Sequence, residues 1–172
     1  KLDPERASRL HPNDKKRIVR AFEVIELTGR TLSEHDRETQ LAPKRYDALK
    51  IALTFKDRED LYRRIDLRVD MMMGAGLLDE VRSLLDSGLS PESTAMQAIG
   101  YKELVAAIEG KCTISEAVET IKRESRRYAK RQLSWLRRDK SVRWIFWEKE
   151  PDYEKAIQLS TALMEEYGII SA

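Results

Sequence analysis

The side chains with the clearest capacity for chemistry in this sequence are Lys and Arg residues that follow Thr120. Between Lys122 and Arg138 the sequence places eight of them against the single acid Glu124. We call these eight residues the basic strip: Lys122, Arg123, Arg126, Arg127, Lys130, Arg131, Arg137 and Arg138. A dense row of cations is typical of a surface that binds a ladder of phosphates, because each neutralised phosphate releases condensed counterions. The basic strip therefore predicts a polyanionic partner.

Three other interpretations of the basic strip stay open at this level. Most charged helix faces are simply solvated, and Arg and Lys are good helix formers in any case. A basic amphipathic helix also lies on anionic membrane surfaces, or binds in the groove of a calmodulin-like protein.

A long amphipathic helix positions the basic strip. Thr113 followed three residues later by Glu116 has the pattern of a capping box, which predicts the start of the helix. At about 100° per residue, the basic strip falls on one sector and a second set falls on the other. We expect this second set to face the core: Val118, Ile121, Ser125, Tyr128, Gln132, Trp135 and Leu136.

Two smaller groups of cations stand on other predicted helices. Lys15, Lys16, Arg17 and Arg20 crowd the first turns of a helix capped by Asn13 or Asp14 and stopped by Gly29. Cations there oppose the helix dipole at about 0.3–1 kcal/mol each, which indicates a role other than stability. The alternative is that they simply solvate a short connection. Arg64 and Arg68 lie four residues apart on one face of a helix capped by Asp57, where an ion pair with Asp60 or Asp66 is the structural alternative.

Composition excludes several classes of protein. The chain has 172 residues, 32 Lys and Arg against 30 Asp and Glu, and 36% charged residues. No apolar run approaches the ~20 residues that span a bilayer, and no signal peptide is visible, so we expect a soluble, cytoplasmic protein. Cys112 is the only cysteine, which excludes an internal disulfide; we expect a small, partly buried residue.

The rest of the pattern predicts a mostly α-helical chain with a few strands. Ala48–Phe55 is an almost unbroken apolar run, typical of a strand buried on both faces of a parallel sheet, and Val142–Trp147 is a second strand. Two such strands need further members, which we expect before Lys1. Gly100 interrupts an apolar segment and predicts a turn or a close backbone approach. Further helices are predicted from Pro4 to Leu10, Leu77 to Gly88, Tyr101 to Glu109, and Asp152 to Gly168. A weaker helical segment, with Ser33 as its N-cap, is predicted to extend toward Gln40.

Five blocks in fixed order carry a resemblance to a known family: HPNDKKRIVRAFEV, DREDLYRRIDLRVDMM, GLLDEV, QAIGYKEL and RRYAKRQLSWLRR. From Leu2 to about Trp147 the chain resembles the C-terminal half of the tRNA dimethylallyltransferases, also called tRNA isopentenyltransferases. The resemblance implies the C-terminal part of a P-loop, kinase-like α/β core and part of a helical insertion. It assigns 1–46 to the tRNA-facing insertion, 47–150 to the core with its basic tRNA-binding helix, and 151–172 to a C-terminal helix.

The implied reaction transfers a dimethylallyl group from dimethylallyl diphosphate to the exocyclic N6 amine of the adenine 3′ of the anticodon. In this family the Walker A loop and the general base lie near the N-terminus, and the sequence contains no G-x-x-x-x-G-K-[ST]. The ligands of the implied Mg²⁺ are likewise expected in that missing part, so we expect the chain to be inactive alone. A tRNA anticodon stem-loop and dimethylallyl diphosphate are the implied partners of a monomeric protein.

The resemblance also implies roles for individual residues. Arg68 would contact the diphosphate of the donor, with Arg64 as the alternative. The residues implied to bind tRNA are Lys16, Arg17, Arg20, Gln97, Gly100, Tyr101, Lys102, Lys130, Arg131, Gln132, Trp135 and Arg137. The chemistry of these side chains agrees with RNA binding. Cations position the RNA through its phosphates, while amide side chains hydrogen-bond to unstacked bases and aromatic side chains stack on them. We expect cations such as Arg17, Lys102 and Arg131 to converge on one groove.

Two rival functions remain. An adenylate isopentenyltransferase would prenylate a free nucleotide and has no use for an extended basic strip. A non-catalytic RNA-binding fragment would bind the stem-loop without transferring anything to it.

Overall fold

A computed structural model describes residues 1–43 and 45–170 of the chain. It divides the chain into two compact units, Lys1–Ala48 and a second unit that begins at Leu49. The domain boundaries implied by the resemblance stay a prediction.

The first unit consists of three helices, α1 (Pro4–Arg9), α2 (Lys15–Thr28) and α3 (Leu32–Leu41). The carboxylate of Asp3 accepts the N–H of Arg6 at 3.0 Å and so caps α1. It also accepts the hydroxyl of Ser33 at 2.7 Å and its N–H at 3.1 Å, which ties α1 to the start of α3. The predicted cap of α3 was therefore wrong. Thr31 forms the capping box with Glu34, while Ser33 is buried in the first turn because it bonds to Asp3.

The second unit contains two strands and five α-helices among the described residues. In chain order they are β1 (Lys50–Phe55), α4 (Arg58–Gly74), α5 (Leu77–Asp86), a 3₁₀ turn (Ala95–Gln97), α6 (Tyr101–Ile108), α7 (Ile114–Leu136), β2 (Val142–Trp147) and α8 (Tyr153–Glu166). The predicted helix starts at Asp57, Thr113 and Asp152 are confirmed, because each side chain accepts a hydrogen bond from a backbone N–H of the following turn.

The core of the second unit lies among α4, α5, α6 and the first turns of α7. Its buried members are Val69, Leu77, Val81, Met96, Leu104, Val105, Ala117 and Ile121. Cys112 is partly buried beside them, as expected from the sequence. Packing of these apolar side chains fixes α4 against α7, the two helices that carry the candidate site.

β1 and β2 pair in parallel, with Lys50 opposite Val142 and Phe55 opposite Trp147. The predicted parallel sheet is confirmed. Leu53 of β1 remains 45% exposed within this chain, and burial of β1 on both faces stays a prediction. Phe146, on the other face of the pair, is 52% exposed. Two strands among the described residues leave part of each face uncovered, as the strand count in the sequence suggests.

Across the described ranges 1–43 and 45–170, no helix combines the length and the apolar character that a membrane crossing requires.

Candidate diphosphate and RNA-binding site

The first part of the basic strip is used to hold α7 against α4. The Lys122 Nζ lies 2.7 Å from Asp70 Oδ1, and its side chain is only 15% exposed. Its hydrogen bond to Asp70 raises the pKa of Lys122 and keeps the ammonium charged. Arg126 Nη1 lies 2.5 and 2.7 Å from the two carboxylate oxygens of Asp66. The eight residues therefore do not form one uncompensated cationic face, because packing against α4 pairs these two with carboxylates.

Two more members of the basic strip share the single carboxylate of Glu124, which compensates one of their two charges. Arg127 Nη1 lies 2.7 Å from Glu124 Oε1, and Arg123 Nε lies 3.7 Å from the same atom. Pairs this exposed are weak, and a phosphate can compete with them.

The last four members of the basic strip are exposed: Lys130, Arg131, Arg137 and Arg138. None of them has a carboxylate within 4.0 Å in the described part of the chain. Arg131 instead lies over the ring of Tyr128, with its Cζ 5.6 Å from the ring centroid. Uncompensated positive charge is thus concentrated at the C-terminal end of α7.

Trp135 does not face the core, contrary to the expectation from helical periodicity. Its side chain is 70% exposed, and Tyr128 on the same sector is 49% exposed. The buried residues of α7 are Ala117 and Ile121, so close packing ends well before Trp135 is reached. Trp135 lines an open groove of about 480 Å³ together with Leu53, Leu61, Arg131 and Gln132. Its ring is accessible for stacking.

The ion-pair alternative for Arg64 and Arg68 was wrong. Asp60 pairs with Arg63 at 3.0 Å, and Asp66 is held by Arg126. Within residues 1–43 and 45–170, neither Arg64 nor Arg68 has a carboxylate within 4.0 Å.

Arg68 lines a second open groove, of about 540 Å³, between α4 and α7. The other lining residues are Ile65, Val69, Met72, Ile99, Ile121, Ser125, Tyr128, Ala129 and Gln132. Arg64 is not one of the described residues that line it. A free guanidinium on an otherwise largely apolar wall is suited to binding an anion that carries a hydrocarbon group.

The segment from Gln97 to Lys102 forms the predicted turn. Gly100 has φ 106°, a left-handed conformation that favours glycine, and its N–H donates to Glu103 Oε2 at 2.8 Å. A Cβ at Gly100 would lie 3.8 Å from Leu77 Cδ2, an ordinary contact. The turn, and not a close backbone approach, therefore explains the glycine. Glu103 is 8% exposed and also lies 3.6 Å from Lys102 Nζ.

Two candidate RNA contacts in this turn are already hydrogen-bonded within the protein. Gln97 Nε2 donates to the Pro91 carbonyl at 3.0 Å, which leaves the side-chain oxygen of Gln97 to accept. The Tyr101 hydroxyl donates to Glu80, and this bond raises the pKa of Tyr101. Tyr101 therefore stays neutral, with its ring orientation fixed from α5.

The candidate cations of the first unit lie on α2. Arg17 pairs with Asp14 at 3.3 Å and Arg20 pairs with Glu23 at 3.3 Å, while all three of Lys16, Arg17 and Arg20 are exposed. Their convergence with Lys102 and Arg131 on one groove stays a prediction.

Lys56 and Arg58 were missed by the sequence interpretation. With Lys130 and Arg137 they line a pocket of about 180 Å³ at the carboxyl end of β1. Their position in the sequence could have identified them. Both flank the N-cap Asp57 directly after a strand of a parallel sheet, where ligands commonly bind.

No group of three or more His, Cys, Asp or Glu side chains in the described ranges is arranged to hold a metal ion. The residues present there do not fit the Mg²⁺ that the resemblance implies.

A family model described as IPP transferase matches residues 1–139. The chain belongs to the IPP transferase family. Among its relatives is the tRNA dimethylallyltransferase of Geobacter sulfurreducens, 46% identical over 97% of this chain and 52% of that protein. Another is the tRNA dimethylallyltransferase of Bacillus licheniformis, 52% identical over 83% of this chain and 45% of that protein. This IPP transferase chain thus spans about half the length of the curated relatives it matches.

Solved structures give the same result for the fold of this IPP transferase chain. The crystal structure of a tRNA delta(2)-isopentenylpyrophosphate transferase from Staphylococcus epidermidis matches with a TM-score of 0.66 and 40% identity, over 96% of this chain and 53% of the other. The predicted family is confirmed. The predicted fold class is confirmed as well: the chain is mostly helical and contains part of an α/β core together with part of a helical region.

Proposed function

We propose that the protein transfers a dimethylallyl group from dimethylallyl diphosphate to the N6 amine of the adenine 3′ of the anticodon in tRNA. The curated relatives carry the name tRNA dimethylallyltransferase. The observation that carries the RNA part of the proposal is the set of four exposed cations at the end of α7. In the part of the chain that the structure describes, carboxylates pair with the first four members of the basic strip and with none of these last four. A tRNA substrate places the reaction in the cytoplasm, and we expect a monomer.

Arg68 is the residue of this chain proposed to act on the donor. In the reaction the adenine N6 attacks C1 of the dimethylallyl group, the C1–O bond breaks, and its electron pair leaves with the diphosphate. A proton is lost from N6 to a general base, which the resemblance places outside this chain. Among the described residues no carboxylate lies within 4.0 Å of the Arg68 guanidinium, so its paired N–H donors are available to stabilise charge that develops on the leaving diphosphate.

The tRNA-binding residues are proposed to act in three groups. Lys130, Arg131 and Arg137 contact phosphates of the anticodon stem-loop, with Gln132 and Trp135 beside them to bond to or stack on bases. Gln97, Gly100, Tyr101 and Lys102 lie next to the displaced adenine, and the α2 cations Lys16, Arg17 and Arg20 extend the contact to the rest of the hairpin. Flipping an adenine out costs a few kcal/mol, least in a loop that is already partly unstacked.

Transfer of radiolabel from dimethylallyl diphosphate to RNA tests the proposal. The complete protein, supplied with Mg²⁺, is expected to modify an unmodified anticodon stem-loop and not the same hairpin with guanine at the target position. AMP in place of RNA distinguishes the nearest rival. Faster turnover of AMP than of the stem-loop would instead identify an adenylate isopentenyltransferase. RNA binding without transfer by the complete protein would identify a binding module.

A further inference from the structure

We propose that the pocket at the carboxyl end of β1 binds one backbone phosphate of the RNA, and that Lys56 and Arg58 are RNA contacts. This inference rests on the proposed function and extends it to residues outside α7. We call the site the β1 pocket. Its lining residues are Thr54, Phe55, Lys56, Arg58, Leu61, Tyr62, Lys130, Leu133, Ser134 and Arg137.

The charge of the β1 pocket favours an anion. Four of its lining residues are basic and none is acidic. Two nearby carboxylates compensate little of this charge. Glu148 lies 3.4 Å from Lys56 Nζ, but both side chains are more than 70% exposed and water screens the pair. Asp57 directs its carboxylate to the N–H of Glu59 at 3.0 Å, as the cap of α4.

The size of the β1 pocket favours a phosphate over a whole nucleotide. Its volume of about 180 Å³ is less than half that of the grooves lined by Trp135 and by Arg68, at about 480 and 540 Å³. A phosphodiester group is smaller than a base with its sugar and carries the negative charge, so it suits this pocket better. The contact would therefore position the RNA without reading its sequence.

The surroundings of the β1 pocket favour RNA over the prenyl donor. None of its lining residues lines the groove that contains Arg68. It shares Thr54, Leu61 and Leu133 with the neighbouring groove that contains Arg131 and the exposed Trp135. A stacked base at Trp135 and a phosphate in the β1 pocket would thus occupy adjoining sites on one strand, as single-stranded nucleic acid requires.

Salt dependence of RNA binding tests the inference in the complete protein. The double variant Lys56→Gln with Arg58→Gln is compared with Lys140→Gln with Lys155→Gln. The control pair removes the same charge from two exposed residues that do not line the pocket. The slope of log K against log salt is negative, and losing one phosphate contact is expected to make it shallower by about 0.7–0.9. Between about 50 and 200 mM salt, the pocket variant then loses about threefold less affinity than wild type.

The control pair is expected to keep the wild-type slope, and both double variants should keep the wild-type unfolding temperature and the KM for dimethylallyl diphosphate. A pocket variant with the same slope as the control pair overturns the inference while leaving the proposed function intact. A raised KM for the donor with an unchanged slope assigns the pocket to the free diphosphate instead. If the wild-type protein neither binds nor modifies the stem-loop, the proposed function fails as well.

Discussion

In the described ranges 1–43 and 45–170, Arg68 has no carboxylate within 4.0 Å, and it lines the groove between α4 and α7. Replacing it with Gln removes a charged donor that the leaving diphosphate needs. We expect Arg68→Gln to lower kcat/KM for dimethylallyl diphosphate by about 10²-fold in the complete protein. Arg68→Lys should recover little of this loss, because an ammonium lacks the planar pair of donors. Steady-state kinetics with the donor varied at saturating stem-loop measure both effects.

Arg63 supplies the control for this prediction. It is exposed, pairs with Asp60 at 3.0 Å and with Glu150 at 3.6 Å, and does not line the Arg68 groove. Arg63→Gln should leave kcat/KM near the wild-type value. A larger loss in Arg64→Gln than in Arg68→Gln would transfer the proposed diphosphate contact to Arg64.

At the scale of the residue, the sequence predicted the side of a helix on which an arginine lies, but not the carboxylate with which it pairs. Spacing placed Arg64 and Arg68 on one side of a helix, with Asp60 and Asp66 within reach. Asp66 in fact holds Arg126, which is 60 residues away in sequence. Such a choice depends on how α4 packs against α7, and helical periodicity carries no information about it.

At the scale of the element, α7 has a neutralised first part and a cationic end. The sequence predicted its start correctly, because a capping box is a local pattern of two side chains. It did not predict where packing along α7 stops. Helical periodicity predicts a core-facing side along the whole length of α7. Only the turns of α7 that pack against α4 and α6 are in fact buried. Trp135 and the free cations near it are the consequence.

This division of α7 predicts unequal contributions to RNA binding. Lys130→Gln with Arg131→Gln removes two uncompensated charges. It should make the negative slope of log K against log salt shallower by about 1.4–1.8, which is equivalent to two phosphates. Arg123→Gln with Arg127→Gln removes two charges, one of which the carboxylate of Glu124 already compensates, so a smaller change is expected. Titration of the stem-loop at several salt concentrations measures the slopes. Equal slopes in the two variants would contradict the division.

At the scale of the whole molecule, the two strands come from distant parts of the chain and one ion pair links their starts. Lys50 Nζ lies 2.6 Å from Asp139 Oδ2, across 89 residues of sequence. The other oxygen of Asp139 accepts the N–H and the hydroxyl of Ser141 at 2.9 and 2.6 Å. The sequence predicted both strands and their parallel pairing, but this link required the register that places Lys50 opposite Val142.

The Lys50–Asp139 link gives stability a pH dependence of known sign. The hydrogen bond from Lys50 is the largest of the causes that hold the pKa of Asp139 well below its ordinary value of 3.8. A carboxyl with a lowered pKa in the folded state stabilises the fold above its unfolded pKa, and this contribution is lost as pH falls toward the folded pKa. Asp139→Asn should therefore lower the unfolding temperature at pH 7, and the difference from wild type should shrink below about pH 4.

Asp86 provides the matched control for the pH experiment. It is exposed, and in the described part of the chain its carboxylate makes no hydrogen bond or ion pair, so Asp86→Asn should track wild type at every pH. Thermal unfolding followed by circular dichroism, from pH 7 down to about pH 3, compares the three proteins. An Asp139→Asn deficit that stays constant over this range would mean that the carboxylate charge contributes nothing. The neutral amide would then have lost only packing or hydrogen-bond geometry at the start of β2.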